Sequence, residues 1–331
     1  MTFLAPHGTR EPARVKFVRK CLQNWPLPRG KGILLKAFRP LLRARSFVFE
    51  LEPGIVVPGE LDDYMFLHFF VHGMRLDSSF ALARGLTRPG DTVLDVGANL
   101  GFWLMGVARI AGAEATVHAF EPLPLNVDRL GRHLRMNGLE WVKCHACAVG
   151  AEVGEATFRP PMGCNSGVGS LSVTAERGDL TVRVTTLDRF CSEHELNRVD
   201  LLKVDVEGAE LLVVKGAEAL LNSARAPVVM FEVGDELAAR FGNTSADVKK
   251  AFAERGYLVY RFRRGRLILV DTREAHPSSE DLFALRPSHF DERPALGRFR
   301  GRIPGTRANA RAVHRRSRGP SGGPSLLRRS L

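Results

Sequence analysis

Thr92-Val-Leu-Asp-Val-Gly-Ala-Asn-Leu-Gly101, followed by Thr116-Val-His-Ala-Phe-Glu-Pro122, decides how this chain reads. Residues 92–96 have the length and β-branched content of a strand, and Gly97-x-Asn99-x-Gly101 is a tight turn. An apolar stretch of helical length follows, and residues 116–120 form a second strand that ends on Glu121. This is one βαβ half of a nucleotide-binding sheet. Its glycines let the backbone turn sharply and approach a ligand, and its acid is placed to take two ribose hydroxyls.

The turn also bears on which nucleoside is held. A dinucleotide fingerprint places Gly at its first, third and sixth positions, so that a pyrophosphate can rest on bare amides. Here those positions are Gly97, Asn99 and Phe102. A ligand without phosphate, such as S-adenosylmethionine, needs an acid near its ammonium, close backbone around its carboxylate and an acid on its ribose. Asp95, the segment Gly97, Ala98, Asn99 and Gly101, and Glu121 meet that demand.

Downstream, residues 142–149 read as a third strand, 201–206 as a fourth that enters a helix over 211–221, and 228–233 as a fifth. Residues 257–261, 267–270 and 282–285 supply the last strands, expected to be antiparallel. Residues 156–158 and 180–185 can pair as a small ribbon around the glycine-rich segment 163–169. Alternating strands and helices imply an α/β fold with a largely parallel sheet covered on both faces. Ligands of such sheets bind at the carboxyl ends of the strands, where Asp95, Glu121, Asp205 and Glu232 lie.

Taken in order, Asp95-Val-Gly-Ala-Asn-Leu-Gly101, Phe120-Glu-Pro122, Asn137-Gly138, Ala148-Val-Gly150, Thr186-Leu-Asp188 and Asp200-Leu-Leu-Lys-Val-Asp-Val-Glu-Gly-Ala-Glu210 resemble the FkbM family of S-adenosylmethionine-dependent methyltransferases. The resemblance runs unbroken over roughly residues 85–235. It implies a class I methyltransferase (Rossmann-like) fold: a mostly parallel, seven-stranded sheet with helices on both faces, here with a small N-terminal helical extension. It also implies methyl transfer to a hydroxyl on a sugar, glycolipid or polyketide-type metabolite. Pro122, Asn126 and Ala148 then join the cofactor site, with the adenine between the second and third strands, Ala148 near its edge, and Asn126 or Leu123 against its face or the ribose. Members of the family often follow the fifth-strand acid with His or a polar residue. Here Glu232 precedes Val233-Gly234-Asp235, a departure that removes the acceptor contact otherwise expected at 233.

With 331 residues and 44% hydrophobic content the chain can bury one large core, with or without a small appendage. No apolar run reaches the ~20 residues needed to span a bilayer. The first twelve residues hold no apolar core of signal-peptide length, so a cytoplasmic location is expected. Cys21, Cys144, Cys147, Cys164 and Cys191 form no even disulfide framework, in keeping with a reducing compartment. Cys144-His-Ala-Cys147 imitates a zinc motif, but residues three apart on a strand face opposite ways and no second pair completes a site.

The net charge of +12 sits at the ends. Residues 1–50 hold 11 Lys or Arg against 2 acids, residues 291–331 hold 11 Arg against 2 acids, and the middle is mildly acidic. Three parts are expected: a basic, partly helical extension over 1–84, a catalytic domain over 85–290, and an Arg-rich, disordered tail over 291–331. The tail can bind nucleic acid or anionic lipid, or can be a solvated extension. Residues 15–22 and 33–42 read as basic amphipathic helices beside the cofactor site. They can form part of the acceptor pocket, dock on a membrane surface to receive a lipid-linked sugar, or simply cap the core.

Methyl transfer to oxygen needs the acceptor held in line and close, and a hydroxyl is a poor nucleophile until its proton is removed. Asp205 and Glu207, at the carboxyl end of the fourth strand, are the candidate groups for that proton. Lys203, on the same sheet face as Asp205, can orient it. Glu210 and Glu232 raise the acid density enough to permit a divalent metal, although acids in a first helical turn equally suit the helix dipole, and a metal is not the favoured reading. Asn165, Ser166 and Ser170, in the glycine-rich loop over the strand ends, are expected with Glu232 to contact a small-molecule or glycan acceptor. Two alternatives stay open: an RNA or other nucleic-acid methyltransferase using the basic ends, and an inactive cofactor-binding scaffold. A nucleic-acid amino methyltransferase would place Asn or Asp, Pro, Pro and an aromatic after the fourth strand; Asp205-Val-Glu-Gly208 points instead to an oxygen acceptor.

Overall fold

A computed structural model of the chain describes residues 11–25, 31–38, 42, 47–58, 63–73, 78–160, 169–172 and 176–299. Three apolar runs, Thr92–Val96, Leu201–Val204 and Val228–Val233, are buried along nearly their whole length and form the centre of the main sheet. Continuous apolar sequence of this kind is what a strand covered on both faces requires. Among the described residues the sheet has eight strands, in the order Arg266–Leu269, Leu258–Arg263, Glu280–Leu285, Val228–Val233, Leu201–Val204, Thr92–Val96, Thr116–Phe120, Lys143–His145. Glu280–Leu285 is antiparallel to both of its neighbours, so the Leu258–Arg263 strand runs with the parallel set rather than against it. Arg266–Leu269, read from the sequence as a strand over 267–270, forms an edge hairpin with Leu258–Arg263 and is one strand more than the seven that the family resemblance implies. This is the class I methyltransferase fold.

Three sequence boundaries move. The third strand breaks after His145, because Ala148–Val149 leaves the main sheet and pairs with Leu180–Thr185. Cys147 therefore lies off the strand, and the cysteines among the described residues are unpaired. The fourth strand ends at Val204, so Asp205 stands just beyond it. The helix expected over 211–221 is two helices, Glu210–Lys215 and Glu218–Asn222. They part at Gly216, where a Cβ would stand 2.0 Å from the Gly150 carbonyl oxygen. The Asp188 carboxylate then caps the second helix by accepting from the Ala219 and Leu220 amides, at 2.8 and 2.9 Å. The small ribbon is also larger than expected: Gly154–Arg159, Ser170–Ser172, Leu180–Thr185 and Ala148–Val149 make a four-stranded sheet.

Two basic helices do form near the N-terminus, as Ala13–Gln23 and Lys31–Phe38. The described part of the second ends at Phe38, and residues 39–41 lie outside the described residues. They do not stand beside the cofactor site: Ala13–Gln23 packs on the helix Tyr64–His72, and that helix borders the cleft. Val15, Val18, Leu22, Phe49, Phe66 and Phe70 join Val93, Leu104 and Val117 in one continuous core, so these elements close one face of the sheet. No described helix is long and apolar enough to cross a membrane.

Residues 291–299, expected to begin a disordered tail, are folded. Helix Pro287–Glu292 leads into the 3-10 turn Pro294–Phe299 with Leu296 buried. Between them Arg293 is buried against Asp91 and Asp200, at 3.1 and 3.0 Å. Those two acids precede the central strands Thr92–Val96 and Leu201–Val204, so the guanidinium ties the two strand starts together. The rest of the Arg-rich tail, from residue 300, lies outside the described residues.

Candidate active site

The chain passes Thr92–Val96, Thr116–Phe120 and Lys143–His145 in one direction across the sheet and then returns to place Leu201–Val204 on the other side of Thr92–Val96. That reversal opens a crevice at the carboxyl ends of the two central strands. Gly97 turns there at φ 81°, and its amide donates to the Phe120 carbonyl at 3.0 Å. A Cβ on Gly97 would stand 1.8 Å from the Asp205 carbonyl oxygen, so no other residue fits this backbone. Gly101, at φ 79°, brings the start of helix Phe102–Ala111 against Leu130. The departure from a dinucleotide fingerprint thus leaves a tight turn intact while offering no bare phosphate cradle.

Glu121 leaves the second strand buried and faces back toward that turn. Its carboxylate accepts from the Asn99 and Leu123 amides, each at 2.9 Å, and from Asn126 Nδ2 at 3.4 Å. Burial pushes its carboxyl up to about 7 against these hydrogen bonds. Two oxygens offer about four acceptor directions, of which these donors use three, so one position for a hydroxyl donor remains. Asn126 Oδ1 is buried beside them without a hydrogen-bond partner.

Across the crevice, strand register sets Asp95 and Lys203 side by side. Lys203 Nζ lies 3.6 Å from Asp95 Oδ1 and donates to Asp205 Oδ2 at 3.0 Å. Asp95 is 0% exposed, and neither of its carboxylate oxygens has a hydrogen bond. Burial pushes it up to about 6, Lys203 opposing and Asp205 adding to the rise. Burial works against the Lys203 charge, but the two carboxylates outweigh it and hold the ammonium above its ordinary value. Beyond Asp205, Glu207 sits in the left-handed region at φ 55°, and Glu210 braces the turn by accepting from the Val206 and Gly208 amides, both at 3.1 Å. Burial, then the like charges of Asp205 and Glu210, push Glu207 up to about 8. Glu232 goes up to about 10 for the same reasons, with Asp281 directly opposite it on the antiparallel strand. Asp205, Glu207 and Glu232 each place an oxygen within 4.8 Å of the others, so among the described residues these three could hold a divalent cation.

The turn, Glu121 and the acids share one cleft of about 280 Å³. Gly97, Ala98, Asn99, Glu121, Pro122, Asn126, Ala148, Ser170, Lys203, Asp205, Glu207 and Glu232 all line it. Asp95 and Gly101 stand behind the lining. Leu123 is buried against the small sheet and contributes only its amide, to Glu121. Asn165 and Ser166 lie outside the described residues. Sequence reasoning missed the apolar wall: Tyr64, Met65, Phe69 and Phe80 from the N-terminal segment, Trp103 from the first core helix, and Phe158 and Leu171 from the small sheet. One signal was present, since Tyr64-Met-Phe-Leu-His-Phe-Phe70 is apolar nearly all round, as a helix buried on more than one side must be.

These acids give a pH dependence of stability. Each raised group binds more protons folded than unfolded between its ordinary value and its folded one, about 8 for Glu207 and about 10 for Glu232. Their stabilisation is complete below about pH 4.5 and is lost as pH rises through the folded values. Glu207→Gln and Glu232→Gln are therefore expected to gain denaturant resistance over wild type as pH is raised from about 5 to about 9. A mutant-to-wild-type difference that stays flat across that range in urea titrations would clear both acids of the effect.

Residues 95–259, about half of the chain, match the Methyltransferase FkbM domain. Methyltransferase 1 of Beauveria bassiana is 31% identical over 150 residues, covering 39% of this chain and 60% of that protein. The hexuronic acid methyltransferase AglP of Haloferax volcanii is 33% identical over 146 residues, 44% of this chain and 57% of AglP. The 31-O-demethyl-FK506 methyltransferase FkbM of Streptomyces tacrolimicus is 31% identical over 166 residues, 40% of this chain and 61% of the relative. The chain thus spans about three fifths of the length of the curated relatives it matches. The matched residues run from the Asp95 turn through the Asp205 strand end to the Leu258–Arg263 strand, so the motifs, the sheet and the cleft coincide, and the chain belongs to the FkbM methyltransferase family.

Proposed function

We propose that the chain transfers a methyl group from S-adenosylmethionine to a hydroxyl oxygen of a sugar, glycolipid or polyketide-type acceptor held in this cleft. The observation that carries the reading is the joining, in one cleft, of a ribose acid on a phosphate-free turn with a lysine-held carboxylate. When bound, S-adenosylmethionine supplies an electrophilic methyl on a sulfonium. The residues present fit it. Glu121 and the orphaned Asn126 Oδ1 suit the ribose, and the Gly97–Gly101 backbone with Asp95 behind it suits the amino-acid end. Ala148, Phe158 and Leu171 offer apolar surface for the base.

Asp205, its side chain about one third exposed, meets the acceptor hydroxyl and takes its proton, while Lys203 fixes the carboxylate. Glu207 and Glu232, raised as they are, hold protons at neutral pH and donate hydrogen bonds to acceptor oxygens. The aromatic wall excludes water from the competing position. The relative named as a 31-O-demethyl-FK506 methyltransferase supports an oxygen acceptor, and the one named for a hexuronic acid supports a sugar.

Calorimetry is expected to show micromolar S-adenosylmethionine binding and no heat with NAD. Glu121→Ala should weaken that binding by about 1.5–3 kcal/mol, the worth of a charge-assisted hydrogen bond to a ribose hydroxyl. Labelled methyl should appear in glycan or metabolite pools. Tight NAD binding, or label recovered on RNA nitrogen, would overturn the reading.

A further inference from the structure

We propose that the chain docks on an anionic lipid surface through the outward faces of its first two helices, so that the acceptor reaches the cleft from that surface. The docking stands on its own observations; the acceptor clause rests on the methyltransferase reading above. Val15, Val18 and Leu22 bury one face of helix Ala13–Gln23, which leaves Arg14, Lys16, Phe17 and Lys20 outward. The second helix, Lys31–Phe38, packs against the first and exposes Ile33 and Lys36. Phe17 is 60% and Ile33 76% exposed. Among the described residues of this segment the one acid, Glu11, is held by Arg19 through two 2.8 Å hydrogen bonds and adds no outward negative charge.

The face is connected to the cleft. Helix Ala13–Gln23 packs on Tyr64–His72, whose first residue, Tyr64, is 57% exposed and lines the cleft. On the neighbouring helix Pro124–Met136, tied to the start of Tyr64–His72 by the 3.1 Å pair of Arg129 with Asp63, Leu125 is 62% exposed beside the lining residue Asn126. Outward cations with protruding aliphatic and aromatic tips match a bilayer, where the cations meet headgroups and the tips enter the acyl boundary. Single-stranded nucleic acid would instead be met by several ring faces placed for base stacking, and of the two protruding tips only Phe17 offers one.

The test is co-sedimentation of the full chain with phosphatidylcholine vesicles, with and without phosphatidylglycerol. Binding is expected only to the anionic vesicles. Phe17→Ser with Ile33→Ser, both at exposed positions, should lower vesicle affinity about tenfold or more while leaving circular dichroism and S-adenosylmethionine affinity unchanged. At about 0.5 M salt, where charge attraction is screened, wild-type binding should weaken as well. Labelled methyl from a cell extract should partition into the organic-extractable fraction. Wild-type vesicle binding by the double variant would assign the contact to the Arg-rich residues beyond 299 and overturn the proposal, as would label confined to the aqueous fraction. Vesicle binding without S-adenosylmethionine binding would sink the methyltransferase reading and leave the docking standing.

Discussion

Asp205→Asn is expected to lower kcat by about 10²–10⁴-fold, the usual worth of a general base, with cofactor affinity close to wild type and a modest loss of thermal stability, because the buried Lys203 loses a charged partner. The substitution keeps the shape of the side chain and an oxygen for Lys203, whose ammonium now donates to Asp205 at 3.0 Å, but it cannot accept the acceptor's proton. Its neighbours cannot replace it. Burial and like charges raise both Glu207 and Glu232, which favours their protonated forms at neutral pH. Glu207→Gln should accordingly cost much less, because an amide also donates a hydrogen bond. Single-turnover transfer with labelled cofactor, paired with calorimetry, separates chemistry from binding. An unchanged kcat would remove Asp205 from the reaction. Equal losses in Asp205→Asn, Glu207→Gln and Glu232→Gln, with activity lost to a chelator and restored by Mg²⁺, would transfer the role to a cation held by the three carboxylates.

Arg293→Ala is expected to destabilise the fold by about 3 kcal/mol, the lower end of the cost of unpairing a buried charge, because Asp91 loses its cation while Asp200 keeps Arg198. Arg293 is 5% exposed, and its two guanidinium nitrogens reach Asp91 and Asp200, which are 6% and 7% exposed. Asp200 also accepts from the Thr92 amide at 3.1 Å, so the cluster fastens the amino ends of the two strands whose carboxyl ends frame the cleft. Urea denaturation measures the loss, and Arg293→Lys should restore only part of it, since one ammonium cannot span both carboxylates as a planar fork does. A cost below about 1 kcal/mol would place the pair in the class of solvent-compensated surface bridges.

What was legible in the residues alone was whatever depends on neighbours in the chain. The Gly97–Gly101 turn follows from backbone conformations that only glycine adopts freely, and the pairing of Lys203 with Asp205 follows from a side-chain period of two along a strand. The placing of Glu121 against that turn follows from the length of one βαβ unit. The apolar wall of the cleft was not legible, because Tyr64, Phe80, Trp103 and Phe158 come from four separate segments. Nor was the break at residues 146–147, which exists because Ala148–Val149 finds a partner some thirty residues on in Leu180–Thr185. Arg293 sits in a stretch whose composition reads as a solvated tail, yet two acids far upstream bury it. The rise of Glu232 comes first from burial and then from Asp205, Glu207 and Asp281, the last brought opposite it by an antiparallel strand inserted from the end of the fold. Local geometry is written within a few residues, whereas burial and charge coupling are set by distances in space that only the closed sheet establishes.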